Sequence, residues 1–206
     1  MDTVNWSYLA KAIEFYKGLG YKYVEVPWFV PLDVSMITCP AKEYAYEIKH
    51  GDALVGSAEQ SLMHMSIRGD LLPGRYVTCS PCFRDEPVDD LHKKQFMKVE
   101  LFDSINVDPT YNAVDEHPHV GIMGASEHAM SFFETFGLQR GWANDLTFVE
   151  VDNGCDIEWH GVELGSYGQR DYEYQGQRYS HIYGTGLAEP RFSKMLQTVV
   201  QTKLKY

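Results

Sequence analysis

Basic side chains are in short supply in this sequence. Lys and Arg total 18 against 29 Asp and Glu, a formal net charge of −11. Nucleic-acid binding draws most of its affinity from Lys and Arg on phosphates. The chain has no basic run and no basic helix face, which disfavours a broad tRNA- or DNA-binding surface and leaves room only for a local groove. Long apolar runs are also missing. Nothing approaches the roughly 20 residues that a bilayer-spanning helix needs, so no membrane partner is expected. Residues 1–18 lack the basic stretch and apolar core of a secretion signal. Cysteine is limited to Cys39, Cys79, Cys82 and Cys155. Cys79-Ser-Pro-Cys82 is a CxxC without the second CxxC or paired His of a structural zinc site. It lies in a strand-like stretch, whereas a redox CxxC usually opens a helix. Free thiols in a cytoplasmic protein are the expectation.

What remains is the composition of an ordinary globular protein, 44% apolar and 23% charged over 206 residues, enough for one domain with a sizeable core. Helical spacing runs from Trp6 to Gly18, with Gly18 and Gly20 as stop signals. Residues 21–32 have strand character broken by Pro27 and Pro31. Residues 41–48 fit a short helix or a strand, and 53–55 a brief strand. Residues 57–69 read as a helix ended by Gly69. The two most strand-like stretches are 74–86 and 94–107, joined by the short loop 87–94. A helix is predicted over 126–136, with Ser126 as N-cap and Gly137 as stop. Strands and turns follow over 145–186, and a last helix over 188–205 with Pro190 early. His117-Pro-His119 beside Asp115 and Glu116 reads as loop polarity. Helices packed on a mostly antiparallel β-sheet, an α+β domain, is the natural assembly.

Four stretches carry the chemistry. Gly-Tyr-Lys-Tyr-Val-Glu-Val-Pro-Trp-Phe, from Gly20 to Phe29, is a Gly, a strand and a Pro. Phe-Arg-Asp-Glu (83–86) and Gln-Phe-Met-Lys-Val-Glu-Leu-Phe (95–102) form the arms of a hairpin. Val-Glu-Leu-Gly-Ser (162–166) sets a Glu and a Ser three apart. Gly-Thr-Gly-Leu-Ala-Glu-Pro-Arg-Phe (184–192) leads from a strand into a helix carrying Arg191. Taken singly, each has a plain structural reading. Arg84 and Glu86 could be a surface pair, Phe96 core, His92 a loop residue, Glu163, Glu59 and Glu100 solvated charges, and Arg191 a helix-face cation. In this order and spacing they resemble the three signature motifs of class II aminoacyl-tRNA synthetases, closest to the seryl-type core. The resemblance covers residues 20–196.

The resemblance implies a role for each matching position. Gly20 and Pro27 match motif 1, which in that family builds a homodimer interface. Arg84 matches the arginine on the ATP α-phosphate, and Glu86 the acid near the adenine amino group. His92 falls where the family reaches the γ-phosphate, and Phe96 matches the ring stacked on adenine. Glu163 and Ser166 match the pair holding Mg²⁺, and Arg191 the motif 3 arginine that stacks over the adenine and grips the γ-phosphate. Ser57 and Glu59 resemble the loop that receives the amino acid's ammonium. Glu100 sits where seryl enzymes contact the substrate side chain. These residue types suit adenylation, in which a carboxylate attacks a phosphorus ringed by negative oxygens and the protein contributes positioning and charge neutralisation.

The 206 residues show no coiled-coil arm and no anticodon-binding domain, and loop 87–94 is shorter than in seryl enzymes. The expectation is a stand-alone, truncated catalytic core, an AMP-forming ligase using ATP and Mg²⁺. It would pass the acyl group to tRNA, or to another acceptor such as a carrier-protein thiol or an amine. A non-catalytic paralogue with a regulatory or scaffolding role is the alternative, and a minimal synthetase reading the tRNA acceptor stem is a third. Zinc is not predicted, because no cysteine sits at a partner position to Glu100.

Overall fold

The computed structural model describes residues 3–105, 121–138 and 145–203. The stretch with His117 and His119 lies outside them, as do the ends read for the second strand, to 107, and the last helix, to 205.

Helix α1 (Trp6–Gly18) buries Leu9, Ala12 and Tyr16 at helical spacing and is capped by Asn5, whose side chain accepts from the Tyr8 amide. It closes as the sequence predicts. Gly20 N–H donates to Lys17 O and Tyr21 N–H to Tyr16 O, and Gly20 takes φ +90°, a conformation glycine adopts without steric cost. Within 21–32 only β1 (Lys22–Tyr23) and β2 (Phe29–Pro31) are strands, because Pro27 interrupts the run. A short helix, α2 (Leu32–Ser35), follows. The ambiguous 41–48 segment is both things in turn, a 3₁₀ turn at Lys42–Tyr44 and then β3 (Tyr46–Glu47). Strand β4 (Asp52–Leu54) pairs with β2 and β3 in a small three-stranded sheet.

The predicted hairpin is β5 (Gly74–Phe83) and β6 (Gln95–Ile105), paired antiparallel over their length. Strands β7 (Leu146–Val151), β8 (Gly154–Trp159), β9 (Val162–Tyr174) and β10 (Gln177–Glu189) complete a seven-stranded sheet. Its order is β1-β5-β6-β10-β9-β8-β7, antiparallel except for the β1–β5 edge. The α+β reading therefore holds.

Helix α4 (Gly121–Leu138) is longer than predicted at both ends. Ser126 is an interior residue whose hydroxyl donates to Met123 O (2.9 Å), and Gly137 lies inside the helix. Packing of Ala125, Ala129, Phe132 and Phe133 against the sheet outweighs the local stop signals. The last helix, α5 (Arg191–Lys203), starts later than predicted. Residues 187–189 stay in β10 because they pair with Met97, Lys98 and Val99 of β6. Glu189, fully buried, accepts from the Ser193 hydroxyl (2.8 Å) in the first turn of α5. That polar anchor explains a glutamate at the strand–helix junction.

Helices α1, α4 and α5 cover one face of the sheet. Leu9, Tyr16, Phe132, Phe133 and Phe192 pack there on Val99, Leu101, Ile157 and Leu187, and each such large side chain contributes roughly 1.5–3 kcal/mol on burial. Helix α3 (Ala58–Ile67), capped by Ser57, covers part of the opposite face through Leu62, Met63, Tyr76 and Phe102. The uncovered remainder of that face is where the motif residues gather. Among the described residues, no helix is long and apolar enough to cross a membrane.

Candidate functional site

The face is laid out by strand pairing. Thr78, Ser80 and Cys82 on β5 stand opposite Glu100, Lys98 and Phe96 on β6, and Thr185, on β10, stands opposite Glu100 on its other side. Arg84 follows β5 directly, its amide bonded to Lys94 O (2.9 Å). Its Nε donates to Gly56 O (2.9 Å), and its guanidinium lies 5.3 Å from the Phe96 ring centroid. The hairpin thus brings Arg84 and Phe96 together. In the loop, Asp89 holds His92 through Nδ1 (2.7 Å) and accepts from the Leu91 and His92 amides. Arg84, Glu86, His92, Phe96 and Arg191 all border one small space of about 20 Å³.

A larger cleft of about 260 Å³ adjoins it and shares Arg84 and Glu86. Glu163 and Ser166 both line this cleft, although residues three apart on a regular strand face opposite ways. The register explains it. Ile157 pairs with Gly165, but Glu158 pairs with Glu163, so Leu164 is bulged out. The bulge turns Glu163 onto the same face as Ser166. Gly165 permits the bend, since a Cβ there would come within 2.6 Å of Tyr167 Oη and 2.9 Å of Thr185 Cβ. Arg191 Nη1 donates to both Glu163 O and Glu163 Oε1 (3.2 Å each), which ties α5 to β9 across the cleft mouth.

Asp156 stands opposite Ser166 in the β8–β9 register. Its carboxyl is pushed up, by burial first and then by Glu163, against the pull of the Ser166 hydrogen bond. Its Oδ1 is buried without a hydrogen-bond partner among the described residues. Glu163 and Ser166, with Asp156 opposite Ser166, offer oxygen donors alone, the kind Mg²⁺ prefers. Among the described residues no three His, Cys, Asp or Glu form a ready-made cage. An ion that completes its shell with phosphates and water needs none.

The floor of the cleft is ionic. Glu100 is 0% exposed. It accepts from the Ser57 hydroxyl (2.5 Å) and from Lys98 Nζ (3.0 Å to Oε1). Burial raises its carboxyl above the usual range, Lys98 opposes, and Glu59 adds to the rise. Ser57 and Glu59 line the cleft, as does Lys98, whereas Glu100 lies beneath them. Glu59 accepts at Oε1 from Arg170 Nε (2.8 Å) and from His181 Nε2 (2.9 Å). Burial pushes Glu59 upward, but the His181 and Arg170 contacts outweigh it and hold the carboxyl at about 2. Neither acid is a solvated strand or helix charge.

Sequence reasoning missed Lys98, Asp156, Arg170 and His181. Two of them have distant partners, Arg170 and His181 being 111 and 122 residues from Glu59. Lys98 instead bonds Glu100 two residues away, and Asp156 faces Ser166 across one strand pair. Cys79 and Cys82 lie on strand β5, and burial pushes their thiols up to about 12 and about 11. Neither is a thiolate near neutral pH, and all four cysteines are free.

No protein-family profile matches the sequence, and no curated protein matches it. Solved structures do. Cytoplasmic serine-tRNA ligase from Naegleria fowleri, solved with AMP, aligns with a TM-score of 0.63 and 16% identity over 90% of this chain and 51% of its own. PylSc from Desulfitobacterium hafniense, a pyrrolysyl tRNA synthetase, aligns with a TM-score of 0.63 and 13% identity over 87% and 64%. Seryl-tRNA synthetase from Pyrococcus horikoshii, complexed with ATP, aligns with a TM-score of 0.58 and 17% identity over 88% and 48%. The chain thus spans about half to two thirds of the length of the structures it matches. At these identities the likeness concerns the fold, which is that of the class II aminoacyl-tRNA synthetase catalytic core.

Proposed function

We propose that this chain, as one catalytic domain, uses ATP to convert a small carboxylic acid to its acyl-adenylate, with an α-amino acid as the first candidate. The acyl group then passes to tRNA, or to an acceptor such as a carrier-protein thiol or an amine. The observation that carries this reading is the convergence of Arg84, Phe96, Glu163, Ser166 and Arg191 on two adjoining spaces. Three sequence segments supply them, and a β-bulge is needed to aim Glu163.

In this reading Phe96 and Arg191 border the base, with Glu86 reading its amino group. Arg84 neutralises the α-phosphate, and His92 lies toward the γ-phosphate. Guanidinium groups suit this work because they stay charged and bind oxygens in pairs. Glu163 and Ser166, with Asp156 beside them, would hold Mg²⁺, which supplies charge neutralisation to the phosphates. The substrate carboxylate attacks the α-phosphorus, a new O–P bond forms, and pyrophosphate leaves. No general base is needed, because the nucleophile is already ionised. Ser57 and Glu59 face the substrate's polar groups, and Glu100 supports Ser57 from below.

Amino-acid-dependent ATP–pyrophosphate exchange over all twenty amino acids tests the proposal, with Arg191→Ala as control. Exchange with one amino acid that the variant loses is the expected result. No exchange with any amino acid removes the simple amino-acid activator.

One observation favours the non-catalytic alternative. The space beside Phe96 is only about 20 Å³ because Arg84 lies over the ring, so a base can stack there only after Arg84 swings away. Equilibrium dialysis with ATP separates the readings, since a scaffolding paralogue binds none.

A homodimer is part of the proposal. The motif 1-like segment exposes Trp28 (56%) and Phe29 (51%), apolar area that a second copy would cover. Sedimentation velocity at micromolar concentration is expected to show a dimer; a monomer at all concentrations rejects it.

A further inference from the structure

Arg170 and His181 belong to none of the motif segments, yet both donate to one oxygen of Glu59. Arg170 Nε lies 2.8 Å and His181 Nε2 2.9 Å from Glu59 Oε1. The two donors are direct cross-strand partners on β9 and β10, so the sheet register itself sets them side by side. Because Oε1 only accepts when Glu59 is ionised, His181 carries its proton on Nε2.

Both donors are held from behind. His181 is 1% exposed. Its ring stacks on Phe102 at 4.4 Å and meets the edge of Tyr172 at 5.8 Å. The Arg170 guanidinium lies 5.2 Å from the Tyr183 ring centroid. Glu59 is the second residue of α3, where the helix N-terminus also favours a negative charge. An ionised carboxylate offers about four acceptor sites, and the clamp uses Oε1 alone. Oε2 makes no hydrogen bond among the described residues, and Glu59 lines the cleft.

We infer that Arg170 and His181 are positioning residues: they clamp Glu59 through Oε1 so that Oε2 meets the amine of the substrate. The inference rests on the adenylation reading and adds to it the side chains that select an amine-bearing carboxylic acid over one without the amine. A buried ion pair serving stability alone would engage the whole carboxylate or lie away from the cleft. This one does neither.

The test compares each reacting amino acid with its counterpart bearing a hydroxyl in place of the α-amine, in pyrophosphate exchange. Wild type is expected to prefer the amine in kcat/KM. In Arg170→Met and His181→Phe that preference falls roughly 10- to 100-fold, while KM for ATP stays within about 2-fold. Arg170→Lys restores part of it, because an ammonium still reaches Glu59. A lowered unfolding midpoint with the amine preference intact means a structural role and overturns the inference, as does a wild type with no preference. If wild type exchanges with no acid, the adenylation reading fails on its own. Calorimetric titration of the same amine and hydroxyl pairs then decides the clamp: a binding difference lost in the variants supports it, and equal or absent binding in wild type overturns it.

Discussion

Arg84→Ala is expected to lower ATP–pyrophosphate exchange by about 10³-fold in kcat/KM, the scale on which preorganised transition-state donors act. Arg84 is the one predicted phosphate ligand that borders both the small space and the main cleft. Its Nε is held by Gly56 O, while its guanidinium, over Phe96, is the part that turns toward the phosphate when a base takes the ring. In the proposed reading, removing Arg84 takes a charge from the place where the α-phosphate would gather negative charge. It also frees the Phe96 face, so base stacking is expected to survive and KM for ATP to rise less than kcat falls. Arg84→Lys keeps the charge but loses the planar fork, and recovers only part of the rate. Steady-state exchange at saturating magnesium, with far-ultraviolet circular dichroism as the folding control, gives the answer. A loss under about 5-fold would place the phosphate elsewhere.

Glu59→Ala is expected to destabilise the fold on the order of 3 kcal/mol, because it strands Arg170 without its buried counter-charge and His181 without an acceptor. For a chain of this size that corresponds to roughly 6–12 °C in Tm. The pH dependence has a defined sign. The Glu59 carboxyl is held at about 2, below its ordinary 4.5, so its contribution is present above about pH 4.5 and disappears as the pH falls toward 2. Glu100 behaves in the opposite way. Burial raises it, so its contribution is present at low pH and declines as the pH rises through its folded value. Comparing wild type with Glu59→Gln removes most of the Glu100 effect, which both proteins share. Urea unfolding at pH 7 and at pH 3 is expected to show a wild-type advantage at pH 7 that shrinks at pH 3. An equal advantage at both values would mean that Glu59 is not ionised in the fold.

The two acids therefore divide the cleft floor between opposite tasks. Glu59 is kept charged by a guanidinium and an imidazole, both on Oε1, and lines the cleft. Glu100 is closed off by Ser57 and Lys98. In a low-dielectric floor a carboxylate on offer to a ligand has to be stabilised by fixed partners first, or it takes up a proton. The Arg191–Glu163 contact (3.2 Å) has a different character. Glu163 is half exposed there, so the pair adds little to stability and can open to admit a phosphate or a cation.

Local pattern alone determined much of the architecture. Strand-like residue content marked β5 and β6, the 3.6-residue spacing marked α1, and Gly20 and Gly69 marked the ends of α1 and α3, because these signals depend on neighbours within a few positions. The hairpin carried its chemistry with it: once β5 and β6 pair, Arg84 and Phe96 must meet. Local signals failed where packing overruled them, at Gly137 inside α4 and at residues 188–189, which β6 holds in the sheet. Only the tertiary structure decided how Glu163 and Ser166 came to share a face, since the Leu164 bulge is a matter of register between two strands. It also decided that Glu59 would be gripped by Arg170 and His181, from over a hundred residues away. Which strand lies beside which, and in what register, is fixed by the burial of one whole face of the sheet. No short stretch of sequence contains that information.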